Sequence, residues 1–533
     1  MNLSVGPRPK GRKYLTIVKS YRDPVTKKPR TRQIKALGYL DVLEKEYPDP
    51  IAHFKEVARK MTEEENNDRR LTLNLMTSEH LAAETGNRKN YGYAALMKIY
   101  QELGLNEFLS SVTRRQKLDP KLKSIVPLLV ISRILAPGPV KNAFEERNRY
   151  FDQFDFGLAD IYEALHELGK ISNQVQNHIY EQIRKKYGCT TAEIYFGLTE
   201  FHYSAGEFVQ IGLALDGDGI PLGYKLFSGD ERDSGAFDEF IEETCKTFGA
   251  GRIIVTGDLG VLTVNDIWHL IGNRPNKPKH GYVYRLPIAG GRKELKEYVL
   301  SQEGYLNLKG EPAGEDDDFK MKTRRVAHNT ETAPVRSGDT ATKIVYEKQL
   351  VFWDRKYAAK TKAERDVVLD KAKTMVRDPA KYKRQTWQEI AGAQLLSLDH
   401  ETIGEDEKYE GYCVIVASEY DMEDKTILDN YRELWEIEEI FRTGQDEAGT
   451  NAEANCLICF IAFTFVRLLH KLTKKEYSTE KIVAALNRIS CSVVQDNMYM
   501  FDYRSTITDA IGNAVGIDFT KKYMQLSDIK KNF

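Results

Sequence analysis

From residue 50 to residue 188 apolar positions recur at three-and-four spacing, which predicts a series of short helices. "PDPIAHFKEVARKMTEEE" opens with proline near its N-terminus, "YAALMKIYQELGL" ends at a glycine, and "KLKSIVPLLVISRIL" stops before Pro137. "LADIYEALHELGK" and "NQVQNHIYEQIRKKYG" follow with the same period. DNA contact and dimerisation are both open roles for such a helical domain.

Near residue 190 the period changes to two. "EIYFGLTEFHY" (193–203) alternates apolar and polar side chains and is rich in aromatic residues, so it predicts a strand. Gly197 sits in its middle, where it weakens a strand by packing nothing. Either the backbone needs room there, or a functional side chain is missing. "EFVQIGLALDGDGIPLGYKLFSG" predicts two strands about the turn "DGDG". "DSGAFDEFIEETCKTFG" has a Ser/Asp N-cap and a terminal glycine, hence a helix. "RIIVTGDLG" is a short apolar run ending in Asp258, a pattern that predicts a buried central strand. An acid at that end sits where α/β sheets place ligands, and a turn or cap residue is the equal alternative.

A β-rich, charged region spans roughly 275 to 420, and its stretch "WDRKYAAKTKAERDVVLDKAKTMVRDPAKYKR" predicts a basic, solvent-facing helix. Beyond it, "ILDNYRELWEIEEIFR" places Ile427, Tyr431, Leu434, Trp435, Glu438 and Phe441 on one helical stripe. Glu438 thus lies within an apolar face, where a carboxylate is costly unless a cation meets it. A core arginine and a metal ion are the two candidates.

Composition narrows the class. The 533 residues, 41% apolar and 29% charged, describe a soluble chain of two to four domains. No apolar run has the length of a membrane span; "CLICFIAFTFVRLL" carries Arg467 and predicts a core helix. No secretory signal is visible, and six scattered cysteines suit a reducing cytoplasm rather than a disulfide framework. Cys456 and Cys459 form an isolated CxxC and are expected in the core, and no histidine pair has zinc-ligand spacing.

The net charge of −1 hides an asymmetry. In residues 1–40, Arg8, Lys10, Arg12, Lys13, Lys19, Arg22, Lys27, Lys28, Arg30, Arg32 and Lys35 face the single acid Asp23. With "YLTIV" and "RQIKALGYL" joined by "RDPVTKKP", they predict a small basic β-meander. A solvated arm is the bland account; the one-sided charge favours nucleic acid.

Together these pieces resemble the DDE transposases, and more narrowly bacterial insertion-sequence transposases of the IS-four-like branch. The resemblance rests on "RKYLTIVKSYRD", "IKALGYLDVLEKEYPDPIAHF", "DGIPLGYKLFSGD", "GYCVIVASEYDMEDKTI" and "YRELWEIEEIFRT". It implies an α/β fold: a ribonuclease H-like core with a β-rich insertion, preceded by the basic β-meander and the helical domain. The expected limits are 1–45 for the meander, 46–188 for the helices, 189–275 and 421–475 for the core, 276–420 for the insertion and 476–533 for a C-terminal tail.

By resemblance such enzymes hold two Mg²⁺ or Mn²⁺ ions on two aspartates and a glutamate to cleave and join DNA. Asp258 matches the second aspartate and Glu438 the glutamate, so these two are the expected metal ligands; the first aspartate falls on Gly197. Tyr431 matches the signature tyrosine, Leu434 and Gln445 stand at the signature arginine and lysine positions, and Tyr431, Arg432 and Arg442 are the DNA-contact candidates on this helix. Glu200, three residues along the strand from Gly197, points to the opposite face. The implied reading is a transposase acting on terminal inverted repeats and target DNA, self-associating on the duplex. It is cytoplasmic, in a bacterial or archaeal nucleoid, with metal binding weak or lost. The alternatives are a non-catalytic DNA-binding protein or repressor derived from a transposase, and a nuclease using part of the metal site.

Overall fold

The computed structural model describes residues 1–22, 28–67, 80, 87–152, 154–202, 208–228, 234–258, 264–272, 279–288, 291–314, 316–331, 342–377, 407–432, 452–495 and 497–533. The chain divides into two compact units, Met1–Ala83 and Glu84–Phe533.

In the first unit, β1 (Asn2–Pro7), β2 (Lys13–Arg22) and β3 (Pro29–Tyr39) form an antiparallel sheet in that order. Leu15 and Ile17 alternate on one face of β2 and are fully buried. The helix Leu40–Leu43 touches β2 and β3, and the helix Pro50–Asn67 touches β1. The longer helix begins where the sequence predicts: Asp49 Oδ1 accepts a hydrogen bond from the Ala52 amide at 2.9 Å, capping it ahead of Pro50. That helix therefore belongs with the meander, and the unit boundary falls near residue 83 rather than 45.

The second unit is built on an eight-stranded sheet. Its strands after β4 (Arg88–Asn90) are β5 (Glu193–His202), β6 (Phe208–Leu215), β7 (Pro221–Ser228), β8 (Arg252–Asp258), β9 (Gly281–Leu286), β10 (Phe319–Glu331), β11 (Thr342–Asp354) and β12 (Tyr412–Ala417). The spatial order is β10-β11-β12-β9-β8-β5-β6-β7. β5, β8 and β9 run parallel, and every other pairing is antiparallel. The strands expected in the insertion thus extend the same sheet, and β9 lies at its centre beside β8. Arg252 ties β8 to its surroundings, bonding Glu419 at 2.6 and 2.7 Å and Glu193 at 3.1 Å.

One face of this sheet packs on helices. Leu122–Leu135 and Ala452–Leu472 are apolar on nearly every side, so each must be enclosed, and they pack against each other. Ala452–Leu472 is the one helix among the described residues long and apolar enough to cross a membrane, and 89% of its apolar window is buried inside the protein. Cys456 and Cys459 are buried free thiols within it. Its Arg467 donates from Nε to the Gly219 carbonyl at 2.8 Å, fixing the β6–β7 turn to the helix.

Residues 476–533, the expected C-terminal tail region, hold three strands of a further sheet. β13 (Ser490–Gln495), β14 (Met498–Phe501) and β15 (Tyr523–Gln525) form a second sheet with β4, in the order β15-β14-β13-β4. Phe533 stacks on Tyr93 with centroids 4.7 Å apart.

Candidate functional site

Register places Gly197 in one lateral row across the sheet. Gly197 on β5 pairs with Leu213 on β6 and Thr256 on β8; Thr256 pairs with Val283 on β9, which pairs with Ala417 on β12. Leu213, Val283 and Ala417 belong to the core cluster that includes the helix Ala452–Leu472, so this row faces the helices. Asp258 lies two residues beyond Thr256 on β8, and its backbone pairs in register with Arg285. Of Asp258 the backbone is described.

Thr256 is 3% exposed, and its hydroxyl has no hydrogen-bond partner among the described residues. An orphaned hydroxyl in a packed interior costs free energy. It sits directly beside Gly197 and one turn of the pleat before Asp258. Arg285 brings a cation to the position opposite Asp258, and its Nη1 lies 3.3 Å from the Tyr357 hydroxyl.

The segment 424–432 is helical, and its Ile427, Leu428 and Tyr431 are buried in the same core cluster as Leu213 and Val283. The stripe predicted from sequence is therefore inward-facing as far as it is described. Tyr431 is fully buried and packs in the core. Arg432 is partly exposed, with Nη2 3.5 Å from Asp354 Oδ2 and its guanidinium over the Phe319 ring. Leu434, Glu438, Arg442 and Gln445 lie outside the described residues. Among the described residues no group of three or more His, Cys, Asp or Glu side chains could hold a metal ion. Gly197 supplies no oxygen, Glu438 lies outside the described residues, and of Asp258 only the backbone is described.

The N-terminal cations divide into two sets. Arg12 is committed to the fold: its Nη2 lies 2.9 Å from Asp41 Oδ1 and 2.8 Å from Oδ2, and its guanidinium stacks 3.9 Å above Tyr39. The hydrogen bond from Arg12 holds the Asp41 carboxyl below its usual range. Arg12 therefore anchors the helix Leu40–Leu43 to the sheet, and a pairing with an acid 29 residues away left no local sequence signal. Arg8, Lys13, Lys28, Arg30, Arg32 and Lys35 are exposed, and Lys19 is partly so. Lys10 and Arg22 are described by their backbone, and Lys27 lies outside the described residues.

Residues 6–71 match the family described as the IS1634 family transposase, N-terminal domain. The match covers β2, β3 and the helix Pro50–Asn67, most of the first compact unit, and it supports an insertion-sequence transposase. Comparison with curated proteins finds no match.

Proposed function

We propose that this chain is a transposase-type, DNA-binding protein of an insertion sequence, with a ribonuclease H-like core whose catalytic step is impaired. The N-terminal family match carries the reading. The sheet supports the core assignment. Three consecutive antiparallel strands (β5, β6, β7) followed by two strands parallel to β5, in the order β7-β6-β5-β8-β9, are what such a core has at its centre. In this reading β10, β11 and β12 are the insertion extending that sheet, and the IS-four-like branch remains part of the proposal.

In the same reading Asp258 and Glu438 are the retained metal ligands and Gly197 marks the lost one. With glycine at 197, a second ion would lack its bridging carboxylate, and catalysis by a Mg²⁺ or Mn²⁺ pair would be impaired. What this chain's residues do is bind the duplex: the exposed cations of the meander neutralise phosphates and release counterions. The partners are double-stranded DNA, at inverted repeats and at a target, and further copies of the chain on that DNA. The second reading, a repressor descended from a transposase, is favoured by Gly197 itself; inverted repeats flanking the coding sequence separate the two.

Fluorescence anisotropy of the full chain on a labelled duplex tests the reading. Affinity should fall steeply as salt rises from about 50 to about 200 mM, because several phosphate contacts are lost together. Absence of duplex binding at low salt would contradict it.

A further inference from the structure

We infer that the edge of the large sheet at β10 is a further surface, beyond the meander, that grips duplex DNA phosphates through the cation row Lys320, Lys322 and Arg324. The inference rests on the DNA-binding reading above.

Strand alternation sets the three side chains on one face of β10, an edge strand of the eight-stranded sheet. At about 3.3 Å per residue the row runs about 13 Å, the axial length of about four phosphate steps along one strand of a duplex. Register gives each cation a neutral partner on β11: Lys320↔Trp353, Lys322↔Val351 and Arg324↔Gln349. An acid at any of those positions would offset the charge, and none is there. Glu347, the next residue along that face of β11, accepts a hydrogen bond from the Tyr282 hydroxyl at 2.7 Å.

Neutral groups hold the row instead. Lys320 donates to Gln302 Oε1 at 2.6 Å, and Arg324 Nε to Gln349 Oε1 at 2.9 Å. Lys322 donates to the carbonyls of Ser301 and Glu303 at 2.6 and 3.3 Å. Aromatic rings complete the support. Lys322 Nζ lies 4.3 Å from the ring centroids of both Tyr298 and Tyr305, the Arg324 guanidinium 4.2 Å from Tyr298, and Lys320 Nζ 5.1 Å from Tyr305. Among the described residues, none of the three forms an ion pair with a carboxylate.

Lys322 makes this arrangement costly. It is 6% exposed, where a lysine is ordinarily paired with an acid. Burial, and then the charges of Arg324 and Lys320, push its ammonium down to about 8. Edge strands carry lysine to repel other strands, but that task needs the charge in water rather than enclosed by two rings. Three fixed cations with no acid among them lack an anion, and a run of phosphates supplies it. Duplex fits better than single strand. Tyr298 and Tyr305 each already carry two cations, so their faces are not free to stack unpaired bases. Lys320 and Arg324, partly exposed at the two ends of the row, make the contacts, and Lys322 adds its charge beneath them.

Salt titration of duplex affinity with the full chain tests the row. Lys320→Gln and Arg324→Gln remove charge at partly exposed positions, and thermal melts without DNA check that each variant folds. Each should lower the salt slope by about one unit, and the double variant by about two. A second measurement needs no variant: acetylation of Lys320 by a lysine-reactive anhydride, read by mass spectrometry, should fall severalfold under saturating duplex at low salt. Where a variant melts early, this protection decides. A folded double variant with the wild-type slope, or equal acetylation of Lys320 with and without duplex, overturns the row while sparing the DNA-binding reading. Failure of the wild-type chain to bind duplex at low salt overturns both.

Discussion

Gly212 and Gly197 occupy neighbouring strands of the same sheet for different reasons. A methyl group at 212 would collide with the ring of Phe196, so packing alone requires glycine there. Gly197 lies in the row between Leu213 and Thr256, whose hydroxyl has no partner among the described residues. If a carboxylate is missing there, Gly197→Asp should destabilise the metal-free protein, because the added charge is buried without donors. Mg²⁺ or Mn²⁺ should then stabilise the variant by about 2.7 kcal/mol at a hundredfold excess over its dissociation constant. Thermal melts with and without metal check this; equal metal response in wild type and variant would contradict it. A second residue-scale prediction concerns His280. Its Nδ1 accepts the Ile253 amide at 3.3 Å, and burial holds its pKa at about 4 against an ordinary 6.5. The unfolded chain binds a proton between those values and the folded chain does not. This contribution is therefore complete above pH 6.5 and is lost as pH falls toward 4. Melting temperature measured from pH 6.5 down to 5 should fall, and less so in His280→Asn.

Elements carry the separation between cations that hold the fold and cations that meet DNA. Lys13→Ala, Lys28→Ala and Arg32→Ala should each reduce the salt slope of duplex binding by about one unit. Arg12→Ala should leave the slope unchanged, since its guanidinium is spent on Asp41 and Tyr39. Salt titration of the four variants decides this, and a loss of slope in Arg12→Ala would return it to the interface. The helix Ala452–Leu472 makes a second claim at this scale. Arg467 is 3% exposed and supplies donors to the carbonyls of Gly219 at 2.8 Å and Asp218 at 3.3 Å. Arg467→Leu should cost about 2 kcal/mol by leaving those carbonyls without a charged donor. Denaturant unfolding measures it, and a neutral effect would mean the turn is held by Lys471 and Lys475 on Asp218.

At the scale of the whole molecule, what was legible in the sequence was local. The β6–β7 hairpin announced itself through "DGDG", the buried β8 through its unbroken apolar run, and Ala452–Leu472 through apolar residues on every side. Pairings between distant segments left no such trace. β4 meets β13 through Asn90↔Ser490, and no periodicity in either piece signals it. Nor does any pattern reveal that β9 belongs beside β8, because parallel pairing depends on a crossover and not on a turn. For the site, sequence brought out Gly197 and Asp258, and register sets them on the adjacent strands β5 and β8. It missed Thr256, whose hydroxyl matters only once its neighbours are known, whereas the burial of Tyr431 follows from the inward stripe that the pattern predicts.

The central claim is a chain that binds transposon-type DNA but has lost the carboxylate needed for cleavage. Its most direct test is a cleavage assay of the full wild-type chain on labelled duplexes from the two flanks of its own coding sequence, with Mg²⁺ and then Mn²⁺. The account predicts a bound complex and no cation-dependent nicking. Efficient Mg²⁺-dependent cleavage by the unmodified chain, abolished by Asp258→Ala, would contradict it.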